Sequence, residues 1–493
     1  MFALQNGAKA IISLPGFQAS EVSRPRAGFT WKEFVKEAGV CGMCRRLMRV
    51  SMKTYKPYII SILVLFIAGG GWWFFNTFGE WEKPAITFDQ EINAIGMQKA
   101  FQITFTDRKR GLRNTSVTVS QDNQTQILSS INYPAPGTKE EIVSVAVDPI
   151  TMKLHNGPAV LNVTATDYAL WKNQTVISRQ INIDVTPPQV YLLNPTNHIN
   201  PGGACVVTYR TSEPVVMTGV RVANAFFPGS TVTISGKPGY VSYFAFPIEA
   251  SGKAISVKVS AKDEAGNETS VNVPYLIMAK KFRSDKMSLS DSFLEQKMPE
   301  FQSYIPSLRG KTPVETFMYV NGFLREDNNK IIQEVCQKVS PRQLWQDTFV
   351  RMKNAAPMAM FGDKRSYVYQ GKVVGESTHL GVDLASTAHS PIEAANNGVV
   401  VYTGYLGIYG NTVIIDHGLG LFTLYAHMDA IHVKNGQEVK KSETIGQSGT
   451  SGLAGGDHLH FSILVGGQFV NPQEWWDAHW IADNVTKKLE VSF

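Results

Sequence analysis

HLHFSILV, residues 458–465, reads as a β-strand that carries two histidines on one face. In extended backbone successive side chains alternate between faces, so His458 and His460 point one way and Leu459 points to a core. Upstream, HLGVD sets His379 and Asp383 four residues apart, and YAHMD contributes His427. The four-residue spacing gives one face on a helix and, by even parity, one face on a strand; the glycine and the following Leu-Ala-Ser favour the extended form. Neutral imidazoles and one carboxylate suit zinc, and a hydrolytic zinc keeps three protein ligands with a fourth position open to water. Five donors therefore leave two histidines for acid–base work. The HExxH signature, with its glutamate base, does not occur.

In combination, HLGVD (379–383), GNTVIIDHGLGLFTLYAHMD (410–429), VKNGQEVKKSETIGQSGTSGLAGGDHLHF (433–461) and VNPQEWW (470–476) closely resemble the lysostaphin/LytM-type zinc metalloendopeptidases of peptidoglycan. The similarity runs from about Phe361 to Trp476. It implies that His379, Asp383 and His460 bind one Zn2+ and that His427 and His458 assist catalysis, one as base and the other at the oxyanion or leaving amine. Asn411 and Tyr425 are candidate substrate contacts that could equally be packing residues. His417 is expected to shape a turn, and His389, His432 and His479 to lie on the surface. The glycine-rich stretch 446–456 lacks G-K-[ST] and leads into a strand, so it reads as a groove wall, not a phosphate loop.

Working towards the N-terminus, three helical runs are expected between residues 278 and 355. Thr312-Pro313-Val314-Glu315 is a capping box with proline at the first helical position, leading into TFMYVNGFLRE. NKIIQEVCQKV and RQLWQDTFVRMK come next. This helical connector could also cover the groove as an inhibitory segment.

Residues 84–277 read as short alternating strands separated by Gly, Pro, Asn and Asp turns. Val163-Thr-Ala-Thr-Asp-Tyr-Ala169 recurs as Val259-Ser-Ala-Lys-Asp-Glu-Ala265, an offset of 96 residues. About 100 residues is the size of one immunoglobulin-like sandwich. Two such modules are expected, 84–186 and 187–277, as a spacer or as a recognition surface for the cell wall or for envelope protein partners.

The net charge of +6 is local: residues 1–56 carry ten Lys/Arg and three Asp/Glu, a net of +7, leaving −1 for the rest. No basic footprint for nucleic acid is left downstream. The arm precedes an uncharged run over residues 57–79, long enough to cross a hydrocarbon core of about 30 Å. Arg45, Arg46, Arg49, Lys53 and Lys56 before it, and Trp72, Trp73 and Trp81 at its far end, predict an uncleaved single-pass anchor in a bacterial cytoplasmic membrane. A cleaved signal peptide is the rival reading. Cys41 and Cys44 form a lone CxxC, a weak signal, and one Cys205–Cys336 disulfide is possible but not indicated.

The fold expected is thus mainly β and multidomain: a basic cytoplasmic arm (1–56), a transmembrane helix (57–79), two sandwiches, a helical connector (278–355), an antiparallel β domain with a zinc groove (356–480) and a tail (481–493). The activity expected is hydrolysis of peptide bonds in peptidoglycan stems or cross-links outside the membrane. The alternatives are a non-catalytic wall-binding adaptor that activates another hydrolase and a protease of an envelope protein.

Overall fold

The computed structural model describes residues 42–78, 80–193, 196–250 and 254–490. Most of the expected basic arm, with Cys41, lies outside the described residues. Residues up to Lys83, with Tyr168–Asn173, form one unit; Pro84–Asp167 and Gln174–Phe493 form a second.

The first unit holds a 37-residue helix, Gly42–Phe78. It runs through Pro57, whose carbonyl accepts the Ser61 hydroxyl at 2.9 Å. Among the described residues it is the one helix long and apolar enough to cross a membrane, over the 20 residues Pro57–Asn76. At 1.5 Å per residue that is about 30 Å.

The second unit opens with two pairs of sheets. Eight strands between Ala85 and Ile183 form a sheet of the first, third and sixth and another in the order second, eighth, seventh, fourth, fifth. Inward residues of both sheets, including Phe101, Phe105, Val119, Val145 and Leu161, share one core. Ten strands between Val190 and Ile277 form a second pair of sheets, each four-stranded, with a further two-stranded parallel sheet. The sequence echo falls in strands that each lie between two antiparallel neighbours. Gly157–Asp167 lies between Leu112–Gln121 and Gln174–Ile183, and Val257–Lys262 between Met217–Val222 and Glu268–Asn272.

Residues from Ala356 build a ten-stranded sheet whose pairings are antiparallel. Its two faces obey strand parity. Leu459, Phe461, Ile463 and Val465 join one core, which continues without a break into the second sheet pair through Phe227 and Tyr243. Phe422, Leu424, Ala426 and Leu464 face the opposite way, onto the helical connector. Each fully buried side chain of this kind contributes about 1.5–3 kcal/mol. Trp475 anchors the first core, with ring centroids of Trp345 and Phe349 each 5.6 Å away.

The connector differs from expectation at both ends: Ser284–Ser288 is a strand paired in parallel with Lys364–Tyr369, and the last predicted helix does not form. Helices Asp291–Tyr304, Pro313–Tyr319 and Arg325–Val335 form, and the predicted capping box is present. RQLWQDTFVRMK, however, is irregular. Its backbone bonds go outward, from Leu344 N to the His417 carbonyl, Phe349 N to Trp475 and Val350 N to Ala395. Trp345 and Phe349, spaced as on a helix, are instead pegs that pin an extended segment to the core. Cys205 and Cys336 are free and buried in different cores. The segment expected as a tail is helical as far as Leu489, with Ile481 and Val485 buried. It docks on the second sheet pair, where Lys488 Nζ donates to Asn197 Oδ1 at 2.6 Å and Thr208 donates to the Lys488 carbonyl.

His417 is fully buried; its Nδ1 donates to the Asn397 carbonyl at 2.7 Å and Nε2 accepts from Thr423 at 2.7 Å. Burial pulls its pKa down to about 4. The unfolded chain, near 6.5, binds the proton more readily, so the neutral ring's contribution is complete above that value and is lost as pH falls towards 4. The loss amounts to about 3 kcal/mol. Unfolding free energy measured between pH 7 and 4 should fall more steeply in the parent chain than in His417→Asn; equal slopes would disprove this.

Candidate metal centre and groove

Register creates the centre. Asp383 pairs directly across from His460 on adjacent strands, and Val382 and Leu384 turn into the core on the other face. His379 arrives from the connection after strand Lys372–Thr378. The result is three donor atoms in mutual contact: His379 Nε2 to Asp383 Oδ1 at 2.9 Å, His460 Nδ1 to the same oxygen at 2.9 Å, and the two nitrogens 3.0 Å apart. These three residues could hold a metal ion.

Each imidazole is oriented from behind. His379 Nδ1 donates to the Met360 carbonyl at 3.0 Å, leaving Nε2 unprotonated towards the centre. His460 Nε2 donates to Ser462 Oγ at 3.0 Å, and Ser462 donates to the Leu380 carbonyl at 2.9 Å. Such outer hydrogen bonds set the tautomer and hold the ring in place for a cation. Arg365 meets the remaining oxygen of Asp383, Nη2 to Oδ2 at 3.2 Å, so Oδ1 alone faces the histidines.

The electrostatics agree with the donor chemistry. Burial would raise the Asp383 carboxyl, but His379, His458 and His460 outweigh it and hold the group well below its ordinary range. Burial pulls His460 down to about 4, so it sheds no proton at neutral pH to become a ligand.

His427 reaches the same groove by a different device. On a regular strand it would share the face of Tyr425, away from His460. Two residues, Ala426 and His427, instead oppose the single residue Thr412, and His427 takes φ +59°. This bulge, with a non-glycine residue in the left-handed region, re-aims one side chain. Ala426 and His427 thus share the groove side, and Met428 returns to the core. His427 Nδ1 donates to the Ser451 carbonyl at 2.8 Å, and His458 Nδ1 to that of Gly456 at 2.8 Å. Both therefore turn Nε2 inward, their rings 4.8 Å apart. His458 Nε2 lies 3.5 Å from Asp383 Oδ1, and although burial lowers the His458 pKa, that carboxylate outweighs it and raises the ring above its ordinary value.

All five predicted chemical residues line one cavity of about 610 Å³. Leu453, Gly455 and Gly456 form part of its wall, where the glycine-rich stretch was expected, and Phe293 and Phe317 of the connector form another. The two predicted substrate contacts are not there. Tyr425 is 1% exposed, and its hydroxyl accepts from Ala395 N at 2.7 Å. The His427 bulge is the reason: it breaks the parity that would have put the two side chains together. Asn411 Nδ2 donates to the Met428 carbonyl, and its backbone N–H donates to Ser451 Oγ, bracing the loop behind His427. The residues not foreseen are Arg365, Ser462 and Gly381. A Cβ on Gly381 would sit 2.6 Å from His460 Nε2 and 2.5 Å from Ser462 Oγ. Gly381→Ala should weaken metal retention by about 10–100-fold, as loss of an outer-shell partner does, with the circular dichroism of the parent; unchanged metal affinity would refute the close-approach argument.

Residues 377–472 match the profile described as Peptidase family M23. Over 94 residues the chain is 42% identical to the DD-carboxypeptidase/endopeptidase Mpg of Neisseria meningitidis serogroup B, covering 19% of this chain and 22% of that protein. Over 163 residues it is 30% identical to the peptidoglycan DD-endopeptidase ShyA of Vibrio cholerae serotype O1, covering 33% and 35%. The chain thus spans about a fifth to a third of the length of these curated relatives. A crystal structure of a putative peptidase M23 from Pseudomonas aeruginosa aligns over 58% of this chain and 97% of its own, at 21% identity and a TM-score of 0.36. With the motif set and the site on one sheet face, the chain carries a peptidase M23 domain of the lysostaphin/LytM type.

Proposed function

We propose that this chain is a zinc-dependent endopeptidase of peptidoglycan, tethered to the cytoplasmic membrane by the helix over Pro57–Asn76 and acting outside it. One observation carries the chemistry: four imidazoles, each donating one N–H to the protein, converge with Asp383 on the floor of one cavity. The substrate class comes from the matched relatives, whose names specify peptidoglycan cleavage. The two sheet pairs are read as immunoglobulin-like spacers that let the groove reach the wall.

His379 Nε2, Asp383 Oδ1 and His460 Nδ1 would hold the ion. A bound divalent cation supplies Lewis acidity to the scissile carbonyl and to an attacking water. His427 and His458 do the proton work. Each turns its Nε2 to the cavity, where it can exchange a proton with water or with the leaving amine. Their fixed tautomers mean neither ring must flip first. Arg365 keeps Asp383 from turning its second oxygen into the centre. The largely apolar walls limit water around the reacting groups, which strengthens every charge interaction there.

The test is digestion of purified peptidoglycan by the full chain, with products read by mass spectrometry. Amide cleavage should appear, stop with chelator and return with added zinc. His460→Ala should lose both metal and activity. Cleavage that ignores chelator, or a His460→Ala variant as active as the parent, would overturn the reading in favour of an adaptor or of another protease class. His427→Ala and His458→Ala should retain the metal yet each slow turnover on the order of 10²–10⁴-fold. Metal content and rate measured on the same samples decide whether those histidines are acid–base groups or ligands.

A further inference from the structure

One charged side chain in the groove has no partner of opposite sign. Arg325 lines the same cavity as His379 and Asp383, but it comes from the connector. The other charges on that wall are answered: Arg365 by Asp383, and Asp457 by the Ser448 hydroxyl and the His389 backbone N–H. Among the described residues no carboxylate pairs with Arg325. Its guanidinium bonds a single residue, Nε to the Asn321 carbonyl at 3.2 Å and Nη2 to Asn321 Oδ1 at 3.0 Å. Two of its five donors are thereby used.

The holder is itself built in. Asn321 is 4% exposed, and its Nδ2 donates to the Glu376 carbonyl at 3.2 Å on strand Lys372–Thr378, which pairs with Lys364–Tyr369 in a separate three-stranded sheet. That bond leaves Oδ1 for Arg325. Asn321 lies in a π-turn, Val320–Leu324, between two α-helices. One extra residue in a helical turn rotates the helix beyond it by about 100°, and such turns recur at functional sites. The lining of the cavity that Arg325 enters includes the apolar side chains Leu289, Phe293, Phe317 and Ile408. A fixed, half-buried cation in such a wall is a site for an anion, and the guanidinium fork fits a planar pair of oxygens.

The geometry points to Arg325 as a specificity-determining residue that binds a carboxylate of the substrate peptide. This rests on the endopeptidase reading, because the anion available in that groove is then a peptide carboxylate. Two sources share the chemistry: a C-terminal carboxylate and a side-chain carboxylate next to the cut bond.

The experiment uses the full chain with zinc and three synthetic cross-linked stem peptides: one with free carboxylates, one with its C-terminus amidated, and one with its side-chain carboxylate amidated. The parent should cleave one amidated peptide with kcat/KM on the order of 10–100-fold below the free one. The loss should fall mainly on KM, and the sensitive amide identifies the source. Arg325→Gln should lose the same factor on the free peptide and be indifferent to that amidation, while Arg325→Lys recovers part of it. Equal cleavage of all three peptides by the parent would overturn the proposal without any variant, as would an equal loss by Arg325→Gln on all three. Failure of the parent to cleave any peptide or purified peptidoglycan would overturn the endopeptidase reading, and this proposal with it.

Discussion

The contact on which the site depends is a carboxylate buried against imidazoles. Asp383 Oδ1 lies 2.9 Å from both His379 Nε2 and His460 Nδ1, with Arg365 on its other oxygen. A buried carboxylate is costly unless it is paired and hydrogen-bonded, so its partners must be held firmly. The sheet does this through register. Asp383 and His460 are cross-strand neighbours, and the alternate residues on both strands are locked in a core of large apolar side chains. A slip of one residue would bury the imidazole and expose Leu459 and Phe461. The same apolar packing that stabilises the sheet thus positions the donors.

That core is shared. It runs from the second sheet pair through Trp345, Phe349 and Trp475 into the peptidase sheet, and Glu474 accepts from Asn200 and Ala204 across the same junction. On the opposite face the connector helices pack on Phe422, Leu424 and Leu464. The groove therefore has walls from two sources: the peptidase strands supply the polar chemistry, and the connector supplies Phe293, Phe317 and Arg325. The connector is fastened by specific bonds, including Asn328 Oδ1 to Ile408 N at 2.9 Å and Glu300 Oε1 to Gly452 N at 3.2 Å. It is part of the site's surroundings, not merely a tether.

Much of this was legible without coordinates. Alternation in 459–465 assigns the strand and its inward face, the capping box marks a helix start, and the 96-residue echo identifies strands that each lie between two antiparallel neighbours in the two sheet pairs. Local rules failed where long-range contacts took over the backbone bonding. RQLWQDTFVRMK has helical spacing, yet its amides bond to His417, Trp475 and Ala395, residues no local window contains. Tyr425 failed for a related reason: it keeps the regular face of its strand, while the bulge moves His427 off that face.

The sequence by itself determined the chemistry: which donors exist, their hard and borderline character, and, through period-two alternation, that His458 and His460 share a face. Those properties belong to residue types and to local backbone geometry. The tertiary structure alone decided how His427 joins them, because a left-handed residue opposite Thr412 reverses the expected parity. It alone decided which nitrogen of each ring faces the centre, since the deciding acceptors are the carbonyls of Met360, Ser451 and Gly456 and the hydroxyl of Ser462. A hydrogen bond is set by distance and direction, and two of these acceptors, Met360 and Ser451, come from segments that only folding brings beside their histidines.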